Sequence, residues 1–109
     1  MSTSKLGIDR AELFSLLADM IAINSVNPAF DREAPGEGKL GQFVADYLMR
    51  HKIPFDMQEV QPGRFNIIGR VKGQDSRRAL LFDAHLDTVS TILEFLLKML
   101  FAFGNQPKE

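Results

Sequence analysis

The sequence predicts an α/β fold, and three observations lead to that prediction. Two segments repeat apolar residues at helical spacing, and a later stretch holds three short runs rich in apolar and β-branched residues. A length of 109 residues with 45% hydrophobic and 25% charged content is typical of one small domain. We therefore expect two N-terminal helices, a small three-stranded sheet and a C-terminal apolar helix in a single domain spanning residues 1–109.

The two helices are predicted from their ends and their apolar faces. The first spans residues 10–22, since Asp9 and Glu12 form a capping-box pattern ahead of apolar residues at helical spacing. A long loop rich in Asn, Pro and Gly follows it. The second helix spans residues 39–51, where apolar residues recur at i, i+3, i+4, i+7 and i+8. Both helices should therefore present one apolar face to a core.

Three strands are predicted after Pro54. They cover residues 55–60, 65–71 and 79–84, and turn-forming residues separate them. The third run begins Ala-Leu-Leu-Phe and is almost unbroken in its apolar character. Such a strand needs cover on both faces, and we expect the two helices to provide part of it.

The C-terminal segment, residues 89–103, is the most apolar part of the chain. On a helix its polar residues Ser90, Thr91, Glu94 and Lys98 gather in one stripe, and the rest of the circumference is apolar. We expect a buried helix or a contact between two copies of the chain. A membrane span is not expected, because it needs about 20 apolar residues without charges.

Composition excludes several classes of function. Thirteen Lys and Arg against fourteen Asp and Glu give a net charge of -1 with no basic stripe, so a nucleic-acid partner is not expected. The absence of cysteine excludes disulfides and thiolate metal sites, so a metal would need His and carboxylate ligands. The N-terminus lacks the apolar run of a signal peptide, and we expect a cytoplasmic protein.

The residues with the clearest chemical potential are His85 and Asp87, directly after the third predicted strand. The ends of strands are common positions for ligand sites, and residues two apart in an extended chain point to the same side. A zinc-binding histidine commonly donates its second ring N–H to a carboxylate. The pair therefore fits a metal ligand with its supporting carboxylate. On spacing alone, a histidine that is simply hydrogen-bonded to a neighbouring carboxylate is the favoured alternative.

Four other residues are weaker candidates. His51 lies at the end of the second predicted helix, where a cationic side chain complements the helix dipole, so a metal role is not favoured. Asp83 would point to the opposite face from His85 in a regular strand. Gly36 and Gly38 lack the context of a phosphate-binding loop and are expected to shape the loop before the second helix.

Four segments between residues 8 and 89 resemble, in order and separation, the start of a metallohydrolase family. The segments are LLADMIAINSVNPAF, GEGKLGQFVADYL, NIIGRVKG and LLFDAHLDTV. The family includes acetylornithine deacetylase, succinyl-diaminopimelate desuccinylase, aminoacylase-1 and carboxypeptidase G. The resemblance implies part of a phosphorylase/hydrolase-like catalytic domain, a zinc or cobalt cofactor, and hydrolysis of N-acyl amino acids or peptides by metal-activated water. It also implies that His85 is a metal ligand and that Asp87 is the carboxylate that orients it.

The resemblance ends near Ser90. The complete enzymes continue with a bridging Asp, a Glu pair that gives the general base and a ligand, a further carboxylate and a distant His. After His85 this chain has only Asp87, Glu94 and Glu109 as acids and no histidine. We therefore expect a truncated hydrolase that is inactive by itself. The alternatives are a non-catalytic interaction or dimerisation domain that uses the C-terminal helix, and a tail that arises from a frameshift or a misplaced stop.

Overall fold

The computed structural model describes residues 6–89 together with residues 100 and 102. In chain order, the described residues form helix α1 (Arg10–Ile21), helix α2 (Gly38–Arg50), strand β1 (Phe55–Gln61) and strand β2 (Arg64–Gly69). The two strands form an antiparallel two-stranded sheet. The predicted mixture of helices and strands is confirmed. Neither α1 nor α2 combines the length and the apolar character that crossing a membrane requires, as far as the described residues show.

Helix α1 confirms the first predicted helix, with its end one residue earlier. The Asp9 carboxylate accepts hydrogen bonds from the backbone N–H groups of Ala11 and Glu12 at 3.0 and 3.3 Å, which satisfies donors that a helix start leaves unpaired. No residue of α1 is buried. Its large apolar side chains remain at least half exposed: Leu13, Phe14, Leu17 and Ile21. The expectation that both helices cover the sheet is therefore wrong for α1.

Helix α2 provides most of the packing against the sheet. Its buried residues are Leu40, Gly41 and Ala45, and the helix contacts both strands. At Gly41 a side-chain carbon would lie 3.7 Å from Ile67 of β2 and 3.9 Å from Leu86. Gly41 of α2 thus lies against both β2 and the segment that carries His85.

The hairpin turns at Gly63, whose φ of +75° suits a residue without Cβ. Its register places Phe55 opposite Gly69 and Met57 opposite Ile67, and an irregularity follows Glu59. The first two predicted strands are confirmed, although β2 ends at Gly69 and not at residue 71.

The third predicted strand, residues 79–84, is wrong. The structure contains no strand there, and Leu80, Leu81 and Phe82 are 80–87% exposed. No backbone hydrogen bond joins residues 79–86 to any other residue that the structure describes. An apolar strand is stable only where neighbouring strands pair its backbone and both its faces are covered. The described part of the chain supplies neither.

Residues 90–99, 101 and 103–109 lie outside the described part of the chain. The predicted C-terminal helix over residues 89–103 falls almost entirely there, as does the contact between copies that it would form. Both stay predictions, and so does the assignment of residues 1–109 to one domain.

Candidate functional site

A cavity of about 640 Å³ lies between β2 and residues 81–87. One wall is formed by residues 65–69 of β2, and the opposite wall by residues 81–87. Glu37 and Val44 complete the lining from the start and middle of α2. His85 and Asp87 are therefore part of a concave surface, although they do not follow a strand.

The structure brings His85 and Asp87 into contact, as their spacing predicts. Nδ1 of His85 lies 2.9 Å from the backbone carbonyl oxygen of Asp87 and 3.2 Å from its Oδ1. Since a carbonyl oxygen can only accept, the hydrogen bond requires the proton to be on Nδ1. The neutral imidazole then carries its lone pair on Nε2. The His85 side chain is 84% exposed, so solvent and solutes reach this ring.

Asp87 is held from its other side by Asn27. The Asn27 side-chain amide donates to Oδ2 of Asp87 at 2.8 Å. This hydrogen bond lowers the pKa of Asp87 below the ordinary value of 3.8, with help from the charges of His85 and Arg64 and against the effect of partial burial. Asp87 is therefore an anion at neutral pH, and each of its two oxygens has a partner.

Backbone pairing fixes the loop that carries Asn27 against the segment that carries Asp87. Val26 and Thr88 form an isolated parallel bridge. The N–H of Asn27 donates to the carbonyl of Thr88 at 2.9 Å, and the N–H of Thr88 donates to the carbonyl of Ser25 at 3.0 Å. The hydroxyls of Ser25 and Thr88 lie 3.4 Å apart, and Ser25 is buried. These bonds hold two segments together that are about 60 residues apart in sequence.

Glu37, on the cavity wall, forms a second ion pair with Arg64, which is not among the residues that line this cavity. Nε of Arg64 donates to Oε1 of Glu37 at 2.7 Å, and this bond raises the pKa of Arg64. The other carboxylate oxygen, Oε2 of Glu37, is buried and has no hydrogen-bond partner among the described residues. A buried acceptor without a donor is costly. Oε2 of Glu37 is therefore an acceptor for which the described residues supply no hydrogen-bond donor.

The remaining candidates are placed as follows. Asp83 is exposed on the cavity wall, and the regular strand that would have turned it away from His85 is absent. His51 follows α2 as its C-cap, with its ring 4.2 Å from that of Tyr47, and it is not among the cavity-lining residues. Gly36, with a φ of +74°, lies in the loop before α2 as predicted, whereas Gly38 is the first residue of α2 and does not belong to that loop.

His85, with Asp87 beside it, fits one ligand position of a metal site. Nε2 of His85 can bind a metal while Asp87 orients the ring, which is the usual arrangement of a zinc-binding histidine. Within residues 6–89, 100 and 102, no group of three His, Cys, Asp or Glu side chains could hold a metal ion. A catalytic zinc site has about three protein ligands. The described residues therefore offer one ligand and its support, not a full coordination shell.

Sequence reasoning missed Asn27 as the partner of Asp87, and it missed the pair Glu37 and Arg64. Both contacts join residues far apart in sequence, and local spacing carries no information about such pairs. Asn27 does belong to LLADMIAINSVNPAF, the first of the four segments that carry the family resemblance. The resemblance therefore pointed to the segment that contains Asn27, but it did not indicate the hydrogen bond to Asp87.

No family model matches the chain, and no solved structure shows a significant match. Among curated proteins, the chain is similar to a probable carboxypeptidase of Emericella nidulans, with 28% identity over 90 residues, 81% of this chain and 20% of the relative. A probable carboxypeptidase of Aspergillus clavatus is 28% identical over 90 residues, which cover 83% of this chain and 20% of that protein. The chain thus spans about a fifth of the length of these relatives. The similarity is to proteins named as peptidases, and it does not distinguish a deacetylase or a desuccinylase.

Proposed function

We propose that this chain is part of a peptidase-like metallohydrolase, in which His85 is a metal ligand and Asp87 orients it. The observation that carries the proposal is the series of contacts from Asn27 through Asp87 to Nδ1 of His85, which leaves Nε2 as the ring's lone-pair donor. The similarity to probable carboxypeptidases supports the class of enzyme.

Each residue in this series has a separate task. Asn27 holds the carboxylate of Asp87 in place and favours its ionised form. The anion in turn favours the proton on Nδ1 of His85 and increases the basicity of Nε2. Because the backbone carbonyl of Asp87 accepts from the same N–H, the ring is oriented by two acceptors of one residue.

The substrate class in this proposal is the N-acyl amino acid or the peptide, cleaved at an amide bond, and the cofactor is zinc or cobalt. When bound, such a metal lowers the pKa of a water molecule and polarises the scissile carbonyl. The described residues do not complete a coordination shell around His85. We therefore expect no turnover from this chain by itself.

Metal binding can be tested on the chain as it exists, because it contains two histidines and each serves as the control for the other. Zn²⁺ titrated into labelled protein at pH 7 should shift the ring signals of His85 far more than those of His51. The variant His85→Ala should lose the binding, and the variant His51→Ala should retain it. Equal shifts of the two rings, or binding that survives His85→Ala, would refute the assignment of the ligand.

Catalysis needs the part that the relatives have and this chain does not match. A chimera should carry residues 8–89 in place of the matching region of the Emericella nidulans protein, with peptides and N-acetylated amino acids as substrates. We expect hydrolysis by the chimera, loss of hydrolysis with His85→Ala, and a decrease of about 10- to 100-fold with Asp87→Asn. A folded chimera that hydrolyses equally well without His85 would contradict the proposal. Hydrolysis by the unmodified chain would overturn the expected inactivity.

A further inference from the structure

Residues 71–86 connect β2 to the pairing at Thr88 and contain no helix or strand. No backbone hydrogen bond joins them to any described residue outside the stretch. Within the stretch, one backbone bond closes a turn, from the N–H of Arg78 to the carbonyl of Asp75 at 3.3 Å. Residues 71–85 are exposed, except for the half-buried Asp75. The backbone of this segment is therefore accessible and almost entirely unpaired.

The middle of the segment carries Arg77 and Arg78, the one adjacent pair of basic residues in the sequence. Their side chains are 88% and 90% exposed. Both approach the carboxylate of Asp75, Arg77 at 3.1 Å and Arg78 at 3.9 Å. Ion pairs as exposed as these contribute little to stability. Either guanidinium can therefore leave Asp75 for the carboxylate of another protein.

An unpaired segment with exposed arginines has the two properties that an endopeptidase needs in its substrate. An extended peptide binds an enzyme cleft through its own backbone N–H and C=O groups, so those groups must be free. A carboxylate in the specificity pocket, as in trypsin, selects a basic residue before the cleaved bond. Residues 75–81 meet both conditions, because only the 3.3 Å turn bond has to break for them to extend.

The remaining basic residues of the described chain are poorer substrates. Most lie in or directly beside a helix or strand: Arg10, Lys39, Arg50, Lys52, Arg64 and Arg70. Arg32 lies in a loop, but Asp31 and Glu33 flank it and would repel an acidic pocket. Lys72 belongs to the open segment but has no basic neighbour beside it. Exposure, free backbone and paired positive charge therefore coincide at Arg77 and Arg78.

We propose that the bond between Arg78 and Ala79 is a processing site for an endopeptidase that recognises paired basic residues, and that its cleavage releases the segment that carries His85. Water adds across this amide bond, so Arg78 gains a carboxylate and Ala79 gains an amino group. The protease and water are the only reactants required. The site does not depend on a metal bound at His85.

Release follows from the small number of contacts that hold the segment after the cut. Asp87 accepts a hydrogen bond from Asn27, and Thr88 forms two backbone bonds with the loop of residues 25–27. In the intact chain the covalent connection keeps these partners at a high effective concentration, and cleavage removes that advantage. The proposed metal ligand would thereby be separated from the residue that supports Asp87.

The test is to digest the folded full chain with a protease that requires two adjacent basic residues, beside a synthetic peptide of residues 72–84. Mass spectrometry should find a single cut that gives residues 1–78 and 79–109. The initial rate should lie within about tenfold of the rate for the peptide, since the segment needs no unfolding of the helices or hairpin. The two fragments should elute separately in size-exclusion chromatography at micromolar concentration. Trypsin at a low ratio should cut the same bond first.

Two arginine variants provide the matched comparison, because both residues are exposed in loops. Arg78→Gln should slow the first cut by about tenfold or more, because the pocket loses its cation. Arg32→Gln should leave the rate unchanged, and neither variant should alter the circular dichroism of the chain.

Three results would overturn the proposal. They are a first tryptic cut at Arg32 or Lys72, a chain that is cut about a thousandfold more slowly than the peptide, and fragments that elute together. The second result would mean that the segment is covered in the folded chain, and the third would refute release. The variant His85→Ala should be cut at the same rate, so a failure of the metal proposal would leave this test unchanged.

Discussion

Helix α2 and the segment of residues 79–84 are both rich in apolar residues, yet only α2 buries them. Leu40 and Ala45 of α2 are 5% and 1% exposed, because the hairpin packs against that face of the helix. Leu80, Leu81 and Phe82 are at least 80% exposed. The difference shows that an apolar pattern defines a surface to be buried, whereas burial itself requires a second surface of matching shape.

Helix α1 lies between these two extremes. It has a satisfied N-cap and a regular apolar face, but none of its residues is buried. The hydrogen bond from the Tyr47 hydroxyl to Glu12 at 3.3 Å links it to α2. Local signals are therefore sufficient for the helix to form, and they do not determine how firmly it is packed.

If burial is what separates the two regions, truncating a leucine should have very different effects in each. The variant Leu40→Ala should lower the free energy of unfolding by about 2–3 kcal/mol, because it removes buried contacts and leaves a cavity. The matched variant Leu81→Ala should change it by less than about 0.5 kcal/mol, since the side chain is exposed. Urea denaturation measures both values. Similar effects would show that residues 79–84 are packed after all.

Loss of the α1 cap should have a smaller and more local effect. The variant Asp9→Ala removes the acceptor for two backbone N–H groups and should destabilise the helix by about 1 kcal/mol. Because α1 has no buried residue, its amides should exchange faster while the unfolding transition of α2 and the hairpin is unchanged. Asp19→Ala, on the same exposed helix, is the control. A large shift of the global transition would mean that α1 belongs to the core.

The smallest effect on stability is expected at the contact between the two distant segments of the site. The variant Asn27→Ala should raise the pKa of Asp87 toward 3.8, because the amide donor no longer favours the anion. NMR titration of the carboxyl carbon measures this change. Asn66→Ala, which removes an exposed amide donor to Gln58, should leave the pKa of Asp87 unchanged.

The sign of the pH effect follows from the lowered pKa. Asp87 binds protons more weakly in the folded chain than in the unfolded one, so it contributes stability above the unfolded pKa. That contribution is lost as the pH falls from about 3.8 through the lower folded pKa. In Asn27→Ala the contribution should be smaller and its loss should be complete at a higher pH, because the folded pKa of Asp87 then lies closer to 3.8. An unchanged titration of Asp87 would show that Asn27 does not support the anion.

Prediction from the sequence succeeded where the signal was local. Asp9, the apolar periodicity of α2 and the turn at Gly63 determine both helices and the hairpin, and each acts within a few residues. The spacing of His85 and Asp87 likewise predicted their contact. The third strand failed, since a strand at residues 79–84 depends on neighbours that the described residues do not provide.

The chain by its own local chemistry determines two helices, the first with a side-chain N-cap, one hairpin and a histidine beside a carboxylate, because hydrogen bonds and rotamers over short distances suffice for these. Three-dimensional packing determined the rest: Asn27 reaches Asp87 across 60 positions, α2 packs against β2 at Gly41, and β2 pairs with β1 alone among the described residues. Those outcomes depend on which surfaces meet and which backbone groups find a partner, and such pairings are not encoded in the spacing of neighbouring residues.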